Sequence, residues 1–302
     1  MEVWLVTGAH GFLGSNAGAF LQGRAICVGQ ARSSTATAAI PRVLGLDLTD
    51  SAALTQLIAA VNPDVVLHCA AVSGHEVSAQ DPERARAVNV TATQVIAGAA
   101  ADIGARMVHI STDSVFSGTR GLYSEDDTPE PFSFYGETKL AGEEAVRSTV
   151  EDHLIVRTNF FGWSENGRKS VLEFFVNSLR QGIGVRGYPD YVVTSLYAPS
   201  LLQAIWDLGQ LGAIGTLHLA SSDALSKYDF ALLVARQFAL DADLIARRGP
   251  DADTHASSRS RDLSLDTSRA AAILGQPMQS QADGIRQAYY DESVIAGIIR
   301  DR

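Results

Sequence analysis

Three residues carry the chemistry most readily: Tyr135, Lys139 four positions later, and Thr112 in the segment Ser111-Thr112-Asp113. On a helix, a spacing of four puts Tyr135 and Lys139 on one face. A lysine ammonium beside a phenol favours the phenolate, so the tyrosine pKa is expected to fall from its usual ~10. A tyrosine tuned in this way exchanges a proton with an alcohol or carbonyl oxygen. Thr112 adds a hydroxyl able to hold the same oxygen. Tyr-x-x-x-Lys is a weak signal by itself and gains meaning only if a cofactor site precedes it.

Such a site opens the chain. Val3 to Thr7 is a short apolar run that reads as a buried strand. Gly8-Ala9-His10-Gly11-Phe12-Leu13-Gly14 follows at once, and Leu13 to Leu21 reads as a helix. The three glycines fit a tight strand-to-helix turn. They leave the helix N-terminus bare, so a dinucleotide pyrophosphate can rest on backbone N–H groups and the positive end of the dipole. A second strand, Ala25 to Val28, leads to Gly29-Gln30-Ala31-Arg32-Ser33-Ser34. An acidic residue there would grip a ribose 2′-hydroxyl and favour NAD. None is present, and Arg32 with Ser33 suits a 2′-phosphate, so NADP(H) is favoured over NAD(H).

The elements needed to position these groups follow in order. Strands are expected at Val43–Leu46, Val65–His68, Arg106–Ile110 and His153–Arg157. Helices are expected from Asp50 or Ser51 to about Val61, from Asp81-Pro82-Glu83 to about Ile103, and from near Ser133 through Ala145. Alternating β and α elements predict an α/β fold, a Rossmann-type doubly wound parallel sheet. Thr112 then sits at a strand's carboxyl end, where such sheets bind ligands. Small residues after the fourth strand, Cys69-Ala70-Ala71, let a cofactor approach the backbone. His68 reads as a core or strand-end histidine.

After Arg157 the rhythm changes. A helix is expected at Val171–Leu179, a glycine-rich irregular stretch at Gly182–Asp190, a helix at Tyr197–Leu208, a core strand at Gly215–Leu219 and a helix from Ser226 to about Phe238. The expected division is residues 1–158 as the dinucleotide domain, with 191–220 returning to it. Residues 159–190 and 221–302 would form a smaller C-terminal substrate-binding lobe.

The chain has 302 residues, 46% of them hydrophobic, and a net charge of −10. That balance, with no basic run to offset it, argues against nucleic acid or an anionic membrane as partner. No apolar run reaches the ~18 residues of a membrane span, and no signal-peptide pattern is read at the start. Cys27 and Cys69 fall in apparent core strands and read as buried thiols, in keeping with a reducing cytoplasm. No cluster has recognisable metal-ligand spacing.

Together these pieces resemble the extended short-chain dehydrogenase/reductase family, and within it the dTDP-4-dehydrorhamnose reductase branch. The matching residues include Gly8-x-x-Gly11-x-x-Gly14, Asp47-Leu48, Ala70-Ala71, Val88-Asn89-Val90, Ser111-Thr112-Asp113-Ser114-Val115-Phe116-Ser117-Gly118 and Tyr135-Gly136-x-x-Lys139-Leu140-Ala141-Gly142-Glu143. Later matches are Arg157-Thr158, Phe161-Gly162, Gly215-x-x-His218-Leu219 and Leu265-Asp266-Thr267-Ser268. The resemblance implies Thr112, Tyr135 and Lys139 as a catalytic triad, with Tyr135 as proton donor. It implies cofactor contacts from Gly8, His10, Gly11, Phe12, Leu13, Gly14, Arg32, Ser33, Asp47, Leu48, Ala70, Ala71 and Asn89. It implies substrate contacts from Asp113, Ser114, Val115, Phe116, Asn159 and Arg259. The implied activity is NADPH-dependent reduction of a keto group on a nucleotide-activated sugar, possible as a homodimer.

The branch usually has tyrosine after Ser-Thr-Asp; here Ser114 stands in its place. Val72-Ser73-Gly74-His75-Glu76-Val77 also departs from the usual pattern, and is expected as a solvated loop. Diphosphate contacts are sought among Arg157, Arg168, Arg186, Arg247, Arg248, Arg259 and Arg261. Two other readings share the scaffold. One is a non-catalytic dinucleotide-binding subunit, similar to the methionine adenosyltransferase β subunit. The other is a nucleotide-sugar epimerase or dehydratase, although a dehydratase would want a glutamate where Ser114 stands.

Overall fold

The computed structural model describes residues 1–165, 167, 170–248 and 262–300. Seven strands form one parallel sheet: β1 (Val3–Thr7), β2 (Ile26–Ala31), β3 (Val43–Gly45), β4 (Val65–His68), β5 (Arg106–Ile110), β6 (His153–Arg157) and β7 (Gly215–His218). Their spatial order is β7-β6-β5-β4-β1-β2-β3. Strand order reverses between β1 and β4, and ligands bind at the carboxyl ends beside such a reversal.

These strands are apolar on both faces because both faces are covered. Trp4, Val6, Val65, Leu67, Val108, Ile110, Leu154 and Val156 share one buried cluster with α1 (Phe12–Leu21). Leu5, Val66, Met107 and Ile155, the intervening residues, share another. That second cluster takes in α2 (Ser51–Val61), α3 (Thr93–Asp102) and α4 (Phe134–Thr149). Period-two alternation therefore sorts one residue set to each helical layer.

The segment 82–102 was expected as one helix. It is continuous but underwound at its centre, with a π-helical stretch at Ala87–Ala92. Asn89 lies there, and its side chain ties Val72 N (2.8 Å) to Thr138 Oγ1 (3.0 Å). The irregular turn thereby fastens the loop after β4 to α4. Strand β2, expected to end at Val28, runs on through Gly29, Gln30 and Ala31; pairing with β1 on one side and β3 on the other carries it further than its apolar run.

A third cluster, built on Phe161, Trp163, Phe175, Val176, Tyr197, Phe230 and Ile285, packs apart from the sheet. Its helices include α5 (Val171–Arg180) and α6 (Lys227–Gln237), each started by a serine cap, Ser170 and Ser226. No described helix is long and apolar enough to cross a membrane.

Candidate active site

A cavity of about 1640 Å³ opens at the carboxyl edge of the sheet. Ligand pockets commonly run to ~300–1,000 Å³, so this one has room for a dinucleotide and a second ligand. The glycine turn, Thr112, Tyr135 and Lys139 all line it. A second cavity of about 700 Å³, among Glu125, Glu137, Glu144 and Arg147, contains none of these groups.

At one end the turn after β1 is drawn tight. Gly8 has φ +69°, and a Cβ on it would meet the Ala70 Cα at 2.9 Å. A Cβ on Gly14 would collide with the Gly8 carbonyl oxygen. Gly11 precedes α1 without any side-chain cap, so the first-turn N–H groups are open to an anion. Ala70 and Ala71 line the cavity beside this turn, and His10, Phe12 and Leu13 complete this end. Arg32 and Ser33 are exposed beyond β2, with Asp47 and Leu48 beside them. Arg84, also lining the cavity, pairs with Asp47 at 3.7 Å. This donor set fits a dinucleotide: a bare helix N-terminus, glycine clearance, and an exposed arginine at the carboxyl end of β2.

At the other end β5 delivers Thr112 and α4 delivers Tyr135 and Lys139. Ser133 caps α4 by accepting from Gly136 N at 3.2 Å. Gly136 lets the helix approach β5: any Cβ there would run into the Ser114 carbonyl oxygen. The Thr112 hydroxyl donates to Asp113 Oδ1 at 3.1 Å and accepts from Ser114 N at 3.2 Å. Asp113 is buried and further bonded by Ser114 Oγ (3.2 Å) and Asn159 Nδ2 (2.8 Å). Burial raises its pKa, against the pull of those donors and of Lys227.

The electrostatics of Tyr135 reverse the expectation from spacing. Its pKa rises to about 12, first through burial and then through the Asp113 charge. Lys139 does share its helix face, but its ammonium bonds His109 Nε2 at 3.2 Å. Burial brings Lys139 down to about 8, while Glu143 and Cys69 favour its charge. Tyr135 is thus a neutral phenol at ordinary pH, which is the form that can donate.

A family model described as RmlD substrate binding domain matches residues 1–293. The chain belongs to that family. Among its relatives is a probable low-salt glycan biosynthesis reductase, Agl14, from Haloferax volcanii, 33% identical over 95% of this chain and 98% of the relative. The methionine adenosyltransferase 2 subunit beta of Xenopus tropicalis is 31% identical over 83% and 77% of the two chains. The dTDP-4-dehydrorhamnose reductase of Mycolicibacterium smegmatis is 30% identical over 80% and 74%. In fold, the chain matches a Bacillus anthracis dTDP-4-dehydrorhamnose reductase solved in complex with NADP. The TM-score is 0.85 at 22% identity, covering 96% of this chain and 99% of that one. The resemblance read from the motifs and the α/β doubly wound architecture both hold.

Several residues named from the sequence sit elsewhere. Val115 and Phe116 are fully buried, not cavity-lining; Phe116 stacks on Tyr123 with ring centroids 4.4 Å apart. The short 3₁₀ turn at Asp113–Val115 redirects the chain inward after Ser114. Asn89 is also fully buried and braces the wall instead of lining it. Arg157 forms a buried pair with Glu143, Nη2 to Oε2 at 2.8 Å, and Arg186, Arg247 and Arg248 do not line the cavity. Arg168, Arg259 and Arg261 lie outside the described residues.

Sequence reasoning passed over Lys227, which lines the cavity at the first turn of α6. Among the described residues it is the one lysine or arginine that lines the cavity from beyond Lys139 in the chain. Tyr191, Val192, Val193 and Ser195 border it there. Its signal was available: the chain has three lysines, and this one follows a serine helix cap. His75, expected in a solvated loop, opens a short helix (His75–Gln80), and its ring meets the Tyr135 ring edge-on at 5.9 Å.

Proposed function

We propose that the protein is an NADPH-dependent reductase of a keto group on a nucleotide-activated sugar. One observation carries this reading: a single cavity joins the glycine turn and Arg32 at one end to Thr112, neutral Tyr135 and buried Lys139, and then to Asn159, Ser195 and Lys227. The catalytic groups are Thr112, Tyr135 and Lys139, and residues 159–190 with 221–302 form the substrate lobe. When bound, the reduced nicotinamide supplies hydride. Tyr135 gives its proton to the carbonyl oxygen as that oxygen becomes an alcohol, and Thr112 orients the same oxygen. Gly8, Gly11 and Gly14 bind the pyrophosphate, Arg32 and Ser33 the 2′-phosphate, and Lys139 the ribose hydroxyls. Lys227 faces the substrate diphosphate as a cation. The NADP in the Bacillus anthracis reductase, and the glycan biosynthesis reductase and dTDP-4-dehydrorhamnose reductase among the relatives, support the cofactor and substrate class.

The test is turnover of NADPH with a panel of dTDP-4-keto sugars, wild type beside Tyr135→Phe. Oxidation of NADPH that falls by on the order of 100-fold or more in the variant, with cofactor binding intact, is the expected result. Cofactor binding without turnover on any keto sugar would favour the non-catalytic subunit, a reading the methionine adenosyltransferase relative keeps in play.

A further inference from the structure

Lys139 is held by a histidine to which no step above gives a role. His109 is fully buried on β5, on the sheet face that carries Met107 and meets α4. Its Nε2 lies 3.2 Å from Lys139 Nζ. Its Nδ1 has no hydrogen-bond partner among the described residues. The neighbouring histidine is differently served. His68 stands opposite His109 across β4 and β5, with ring centroids 5.3 Å apart. Both its nitrogens are bonded, to Thr7 Oγ1 at 2.7 Å and Thr93 Oγ1 at 2.9 Å. His109 therefore puts its one bond into Lys139 and leaves a buried polar atom unpaired, a cost that leucine or methionine at this position would avoid.

The surroundings fix the direction of that bond. Burial, Lys139 and His68 keep His109 neutral. A neutral imidazole that accepts at Nε2 carries its proton on Nδ1. Gly142, one turn past Lys139 on α4, lets the helix close on the Asn89 carbonyl, which a Cβ would meet at 2.7 Å, and the His109 ring nitrogen lies 3.5 Å from the same point. The other groups acting on Lys139 are Glu143, one turn along its own helix, and Cys69 after β4. Lys139 in turn acts on His68 on β4, and Tyr135 lies one turn earlier on α4.

We propose that His109 is a positioning residue for Lys139: it accepts a hydrogen bond from the ammonium, keeps that lysine charged, and draws it toward the cavity floor instead of the Tyr135 phenol. The proposal rests on the reading of Lys139 as the active-site lysine, but its test does not need turnover. The chain has three lysines, Lys139, Lys169 and Lys227, so a protein labelled at lysine ¹³Cε gives three resonances, and Lys139→Met assigns the one of interest. Titrated by NMR, the Lys139 midpoint should fall by about one pH unit in His109→Leu. His109→Gln, which keeps an acceptor, should restore most of it. In wild type, ¹⁵N-histidine spectra should show His109 protonated at Nδ1. An unchanged Lys139 midpoint in His109→Leu, or an Nε2-protonated His109 in wild type, would overturn the proposal. The wild-type spectrum decides the matter even if the leucine variant does not fold. Failure of the reductase reading would appear separately, as absent NADPH oxidation in wild type.

Discussion

Tyr135 shows how far a spacing argument reaches. Four residues on a helix do put Tyr135 and Lys139 on one face, but whether a charge tunes a phenol depends on where the ammonium goes. Here a closer acceptor, His109, takes it, and burial with Asp113 raises the tyrosine to about 12. The neutral phenol suits proton donation, and the Tyr135→Phe comparison measures that role. Lys227 carries the second prediction at this scale. A hydrogen bond to a charged group is worth ~1.5–3 kcal/mol, so Lys227→Gln should raise KM for the nucleotide sugar roughly tenfold or more. The Kd for NADPH should stay within twofold of wild type, because Arg32 and the glycine turn are at the other end of the cavity. A KM equal to wild type in Lys227→Gln, read by steady-state kinetics, would remove Lys227 from the substrate site.

At the scale of elements, α4 and its two neighbours set the geometry. Its first turn comes close to the end of β5 because Gly136 has no side chain. Helix propensity alone predicts a gain of ~0.5–1 kcal/mol for Gly136→Ala. The collision with the Ser114 carbonyl oxygen outweighs that, since backbone cannot move aside as a flexible side chain can. The expected outcome is a shifted first turn and a kcat lower by about 100-fold, the scale of a ~1 Å misplacement of a reacting group. Equal or higher kcat in Gly136→Ala would show that the helix tolerates the displacement. Deeper in α4, Glu143 accepts from Arg157 Nε, Arg157 Nη2 and Ser111 Oγ, all buried. Glu143→Gln leaves the Arg157 charge unpaired in the interior and should cost ~3–5 kcal/mol in urea unfolding. This pair also explains why Arg157, one of the candidates for the diphosphate, does not line the cavity: its strand register turns it into the sheet's helical layer.

For the whole molecule, three buried histidines among the described residues set the acid stability. Burial lowers His68 to about 3 and His218 to about 4, and holds His109 well below its usual value. Each binds a proton in the unfolded chain below ~6.5 that the folded protein refuses, so stability falls as pH falls below ~6.5. The slope is about 1.4 kcal/mol per pH unit for each histidine until its folded value is reached. Asp113, whose pKa is raised, pulls the other way as one group against three. The urea midpoint should therefore drop steeply between pH 6.5 and pH 5; a midpoint constant over that range would contradict the account.

By itself the sequence determined what depends on neighbours along the chain. Apolar runs such as Val65–His68 define strands, the glycine turn after Thr7 can only be tight, and Ser133 and Ser226 start helices through their own side chains. These follow from dihedral preference, burial period and local hydrogen bonding, all of which act within a few residues. The motif segments added the family, since their residue types are tied to one another by a shared site. Packing, in contrast, sets the meetings across long separations. His109 reaches Lys139 thirty residues away, Asp113 reaches Asn159, Phe116 turns into the core, and Lys227 comes to the cavity while Arg157, Arg186, Arg247 and Arg248 do not. Such pairings are set by which element packs on which and in what register, and no local pattern encodes that choice.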